Sequence, residues 1–151
     1  MDDTLIIFLT IGGGALILFW VTNRFLVPLL SGWQTLSTRY GASGPAQGDS
    51  FSWATARFSW FANYGKCLNV TISSDGIHLQ PFWLLRSGHK PLFFPWGAVK
   101  DLQQSNILFF YSTQIVIGSD GDDWTKTITF YGKMLADSLQ KHAPVHLHKN
   151  A

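Results

Sequence analysis

The chain has 151 residues, a formal net charge of +2, 46% apolar residues and only 13% charged ones. So small a positive balance, with no lysine- or arginine-rich run, excludes an electrostatic nucleic-acid binder. The single cysteine, Cys67, excludes an internal disulfide and fits a reducing compartment, and with no glutamate in the chain few candidate acids or bases remain.

Leu5 to Val21 carries no charged residue, and its only polar side chain is Thr10. With Thr4 and Thr22 as its ends, the run reaches the roughly 20 residues a helix needs to cross the hydrocarbon core. Asp2 and Asp3 stop it on one side and Arg24 on the other. A secretory signal would begin basic and end at a small-residue cleavage site; here the start is acidic, and Trp20, Asn23, Arg24 and Phe25 follow the run. A buried soluble helix would show a polar face and rarely hold Gly12, Gly13 and Gly14 together. Residues 1–24 are therefore expected to form a transmembrane anchor. Arg24 and Arg39 follow the span and only aspartates precede it, so the positive-inside rule puts the N-terminus out and the bulk of the chain in the cytoplasm, at the inner membrane. Thr10 and Gly14 have small-x-x-x-small spacing, and with Gly13 they form the expected packing face for another transmembrane helix.

Residues 25–48 read as an interfacial segment and linker. Pro28 discourages a straight continuation of the helix, and Ser31 suits the N-cap of a short helix ending near Tyr40. Trp33, Leu36 and Tyr40 fall on one face of it. That face suits a collar on the bilayer, with Arg24, Trp33 and Tyr40 anchoring at the interface, or equally a helix packed on the soluble domain. Gly41 to Gly48 is a linker by composition.

From Asp49 to Pro144 the pattern is one β domain, followed by a tail over 145–151. Strands are expected at Phe51–Phe61, Cys67–Ser73, Ile77–Pro81, the proline-bounded Pro91–Trp96, Ala98–Leu102 leading into Asn106–Tyr111, Thr113–Ile117 and Lys126–Tyr131. Asp75-Gly76 is the strongest hairpin signal. Gly132 to Ala143 reads as an amphipathic helix stopped by Pro144.

About seven short antiparallel strands must curl or close to hide an apolar face, and one terminal helix can cap the open end. This order resembles the pleckstrin-homology-like fold. The resemblance is sharpest at Val70-Thr-Ile-Ser-Ser-Asp-Gly-Ile-His-Leu79 and Gly88-His-Lys-Pro-Leu-Phe-Phe-Pro-Trp-Gly-Ala-Val99, which look like small bacterial membrane-anchored proteins of this fold. It covers roughly residues 51–143 and implies a small seven-stranded barrel with a C-terminal capping helix. Members that bind phosphoinositides carry several Lys and Arg along the first two strands; here that region has only Arg57 and Lys66. Binding of peptides or other proteins is the role the resemblance leaves open.

Chemistry is sparse. Asp75 suits a turn. Asp120, Asp122 and Asp123 lack the calcium-loop spacing and its closing glutamate. His142, His146 and His148 are only a loose cluster, with Pro144 between the first two. His89 reads as a turn residue, and no nucleophile motif or phosphate-cradling loop is present. Asn69-Val-Thr71 matches a glycosylation acceptor but falls in a strand. No cofactor, metal site or catalysis is expected. Trp53, Phe82, Trp83, Phe93, Phe94 and Trp96 exceed what alternation can turn inward, which makes Trp83, Phe93 and Trp96 a candidate partner surface. The expected function is a non-enzymatic single-pass accessory or assembly subunit on a larger integral-membrane complex, for example a photosynthetic or respiratory one. The alternative is a membrane-tethered domain that recognises lipid head groups or a peptide.

Overall fold

A computed structural model describes residues 3–121 and 123–150. Asp2 and Asp122, which the sequence placed at the start of the span and in a polar turn, lie outside the described residues, as does the side chain of His148. Helix α1 (Asp3–Val21) is long and apolar enough to cross a membrane, and none of its residues is buried by the rest of the chain. The Thr10 hydroxyl donates to the Ile6 carbonyl at 2.7 Å, so the one polar side chain of the run is satisfied inside the helix.

The helix does not stop at Pro28. A single wide turn over Thr22–Leu26, closed by the Val27 N–H on the Thr22 carbonyl, leads into α2 (Val27–Ser31). Proline brings no N–H and crowds the carbonyl four residues back, and widening the preceding turn relieves both. Gly32, at φ 76°, then breaks the path, and α3 (Trp33–Tyr40) turns onto the domain. Ser31 is therefore the last residue of α2 and not the N-cap of α3, although its Oγ does accept the Trp33 N–H at 3.2 Å.

Seven strands follow: β1 (Asp49–Arg57), β2 (Asn63–Ile72), β3 (Gly76–Pro81), β4 (Leu92–Pro95), β5 (Val99–Ile107), β6 (Phe110–Gly118) and β7 (Thr125–Tyr131). They form one antiparallel sheet in the order β4-β3-β2-β1-β7-β6-β5. The expected barrel is not closed, because β4 and β5 are edges and do not pair. The β4 edge is already occupied: Gly41 bridges to Leu92, and the Ala42 N–H donates to the Pro91 carbonyl at 2.9 Å. Prolines at both ends of β4 remove further donors. The sheet bends at β1, which is bulged on either side of Ala54 and meets β7 through three residue pairs only, from Thr55↔Tyr131 to Arg57↔Thr129. At Gly76, where the Asp-Gly hairpin turns, a Cβ would fall 2.2 Å from the Phe94 carbonyl oxygen, so only glycine lets β3 approach β4.

Leu68, Val70, Ile77, Leu79, Ile115 and Ile128 form the centre of the core, and α4 (Lys133–His142) lies against β2, β6 and β7 through Leu135 and Leu139. Ser138 and His142 bind Asp49 Oδ2 at 3.0 and 2.9 Å, tying α4 to the start of β1. Those two hydrogen bonds, the His142 one foremost, hold the Asp49 carboxyl below its usual range.

Several boundaries differ from the sequence reading: β1 ends at Arg57, short of Phe61, and β2 begins at Asn63, four residues before Cys67. Trp33 and Leu36 belong to the same core as the sheet, so the compact domain begins before residue 49 and the glycine-rich residues 41–48 are a strap across the sheet. The β5–β6 turn falls at Leu108-Phe109, four residues before the connection expected at Ser112. Its residues are apolar and carry no Gly, Asn or Asp turn signal, so the run reads as continuous strand.

Candidate functional site

The feature that unites the chain is the corner where the N-terminal helix meets the domain. Ser31, at the end of α2, and Trp33, at the start of α3, are fully buried. The Trp33 ring lies 5.0 Å from Phe58, 5.4 Å from Tyr64 and 5.2 Å from His89, all in tilted or edge contacts. Its Nε1–H donates to the Lys90 carbonyl at 2.9 Å. Tyr64 Oη sits 2.9 Å from Ser31 Oγ and 2.8 Å from His89 Nε2, and His89 Nδ1 is 3.0 Å from the Leu85 carbonyl. The Tyr64 hydroxyl donates its one proton to Ser31 Oγ, whose own proton goes to the Pro28 carbonyl at 3.3 Å, and the His89 ring bridges Tyr64 Oη and the Leu85 carbonyl. Burial lowers the His89 pKa and favours its neutral form, and burial pushes Tyr64 up to about 12. Ser31, Tyr64 and His89 thus form a dry hydrogen-bonded chain across three separate segments. Its chemistry is that of a clasp: the buried Tyr64 hydroxyl and His89 Nε2 find their partners only when helix, strand and loop are together.

A second tie lies about two turns earlier. The Arg24 guanidinium donates to the carbonyl of Ser87 in the same loop that carries His89. Next to it, Leu84 and Ser87 face Leu16, Ile17, Phe19 and Trp20 across a cleft of about 460 Å³. The loop after β3 therefore runs alongside the last turns of α1. Trp83 and Leu84 are exposed there, with Trp83 at 65%. Trp83 touches Phe82 (5.7 Å), which stacks on exposed Trp53 (5.0 Å). Trp53 holds φ 60°, a left-handed conformation that bulky residues avoid. Together these rings form an aromatic shelf that continues into Leu84, the residue facing the span.

The expected site residues separate accordingly. Of the interfacial set Arg24, Trp33 and Tyr40, Arg24 stands at the end of the span and is tied to the domain. Trp33 is a core residue at 0% exposure, which corrects its reading as an interface anchor. Tyr40 is half-buried with its ring 5.3 Å from Phe94. The cause is Gly32, which turns the apolar face of α3 onto the sheet end. Of the partner-surface set, Trp83 is exposed, while Trp96 is buried at 5% and donates Nε1–H to the Ser73 carbonyl at 2.9 Å, a correction. Phe93 is half-buried beneath the strap, where it, Arg39, Tyr40 and His78 line a groove of about 500 Å³. A Cβ at Gly13 or Gly14 would meet nothing within 4 Å, while Thr10 is exposed on the same helix.

Sequence reasoning does not find the clasp: Ser31 suits a cap, His89 suits a turn, and nothing singles out Tyr64. They stand 33 and 25 positions apart in their two contacts, and no local spacing announces such a meeting. His142, the first of the three loosely spaced histidines, is engaged by Asp49, and among the described residues no three His, Cys or Asp side chains converge. No protein-family model matches the chain, and no curated protein matches it.

Proposed function

We propose that this chain is a non-enzymatic, single-pass membrane protein whose β domain is fixed to its span and acts as an accessory or assembly subunit of a larger integral-membrane complex. The observation that carries this reading is the clasp: Ser31 and Trp33 bury the end of the N-terminal helix in the domain core. The anchor is then continuous with the domain, and the domain has a defined height above the bilayer. The Trp83–Leu84 shelf, level with Leu16–Trp20, would lie at the water–lipid boundary, where tryptophan is favoured. With Arg24 on the cytoplasmic side, the N-terminus is out and the domain in the cytoplasm, at the inner membrane. The meander order with a C-terminal helix supports a pleckstrin-homology-like domain, open between β4 and β5. Thr10, Gly13 and Gly14 offer the span's closest approach to a neighbouring helix.

Mild-detergent extraction and native sizing test this. A second membrane protein should co-elute with the wild type and be lost on changing Gly13 and Gly14 to Leu. Elution with no other protein overturns the subunit reading. Depth-dependent quenching by brominated lipids should reach Trp83 in a Trp20→Phe background and disappear in the added Trp83→Phe variant.

The groove lined by Arg39, Tyr40, His78 and Phe93 favours the second reading, a tethered recognition domain for a peptide or head group. Such binding would weaken as salt rises.

A further inference from the structure

The two edges of the sheet are finished differently. The strap and two prolines close β4. β5 is blunted by the irregularity between Val99 and Asp101, by the Asp101 carboxylate, which accepts the Leu102 N–H at 2.9 Å, and by the C-terminal turn Val145–Asn150, which packs against the strand. From Gln103 to Ile107 the strand has β6 on one side and, among the described residues, no strand on the other. This stretch carries no charge and no proline, and Gln103, Ser105, Asn106 and Ile107 are exposed. Folded proteins blunt an edge of this kind with lysine, proline or a bulge, because its unpaired backbone groups template another strand.

The edge leads into a tip that is equally unprotected. Leu108 is 82% exposed and Phe109 91%, with Ile107 and Phe110 beside them. Leu108 holds φ 57°, so the turn is made by a residue that pays for a left-handed backbone, in place of Gly or Asn. A turn that breaks the turn rules and exposes four apolar side chains in a row marks a contact site.

We infer that the β5 edge and its tip bind a second copy of this chain, by antiparallel pairing of β5 with β5. The occupant follows from the edge itself. An unpaired backbone row selects an extended strand, and its neutral side chains select a neutral one. Antiparallel self-pairing supplies that strand. It also sends Lys100 and Asp101, both at the start of β5, to opposite ends of the pair, so that like charges never meet. Each apolar tip then lies beside the start of the other β5. The C-terminal turn Val145–Asn150, which packs against β5, leaves Val145 86% exposed. Confinement of both copies to one bilayer, which rests on the proposed anchoring, raises their effective concentration and populates a weak pair.

The test uses the full chain extracted from membranes and sized by light scattering, after chemical cross-linking in the intact membrane. The wild type should cross-link and size as a dimer. Leu108→Asp with Phe109→Asp should halve the protein mass, as should the pair Gln103→Lys and Asn106→Lys. These positions are exposed, so circular dichroism should stay unchanged. Mixing the lysine pair with its Gln103→Asp, Asn106→Asp counterpart should restore the dimer, which neither a partner of another kind nor a lipid contact would do. A wild type that reaches the membrane fraction yet remains monomeric overturns the self-pairing. So do charge variants that stay dimeric, and tip variants that change only vesicle flotation. A chain absent from the membrane fraction overturns the anchoring instead.

Discussion

Trp33, at the start of α3, and Phe109, on the β5–β6 turn, are both large rings, and their fates are opposite. Trp33 is enclosed by Phe58, Tyr64 and His89 and has its indole N–H satisfied. Phe109 stands in solvent at the far end of β6 from the corner where Lys126, at the start of β7, approaches Gly32. The contrast shows that this small domain does not hide aromatics wherever it can. It spends them to join span to domain at one end and leaves them available at the other. A fold of this size can enclose only some of its rings, and the N-terminal helix decides which.

The sharpest way to break the contrast is to remove the enclosed ring. Trp33→Ala should destabilise the domain by about 3–5 kcal/mol, read by denaturant unfolding in detergent, whereas Phe109→Ala should leave the midpoint essentially unmoved. Equal effects would mean that the corner is not the keystone. Next, Tyr64→Phe keeps the packing but strands His89 Nε2 and removes a partner of Ser31. About 1–3 kcal/mol should be lost in the same measurement.

Acid should then loosen the clasp. Burial depresses the folded-state pKa of His89 below 6.5, so its contribution is complete above about pH 6.5 and declines as the pH falls through the folded value. Red-shifted tryptophan emission on acidification should report it. His89→Gln should flatten the response, leaving only the part due to His78, which burial shifts in the same direction. The smallest effect belongs to Asp49→Asn at the α4 contact. The lowered Asp49 pKa means that this stabilisation is present above the usual carboxylate pKa and is lost as the pH drops through the folded one. Thermal unfolding at pH 7 and pH 3 should converge for the mutant and wild type at the lower pH.

The local chemistry of the chain was largely legible. The apolar run, the Asp-Gly hairpin at Asp75-Gly76, the proline-bounded β4 and the amphipathic α4 each carry their signal within about a dozen residues, and each forms where expected. The β5–β6 turn was not legible, because Ile107 to Phe110 has strand composition while the chain reverses inside it. The clasp was not legible because its members have ordinary local roles and meet only across the fold.

Sequence alone determined that one N-terminal helix is apolar enough for lipid and that a mainly-β domain ending in a helix follows, since hydrophobic length and periodicity are properties of neighbours along the chain. Tertiary structure decided that Trp33 is core and Trp83 is surface, that β4 is sealed and β5 open, and that the helix grips the domain through Ser31, Tyr64 and His89. These are properties of neighbours in space, set where Gly32 turns the helix and Trp53 bends the sheet.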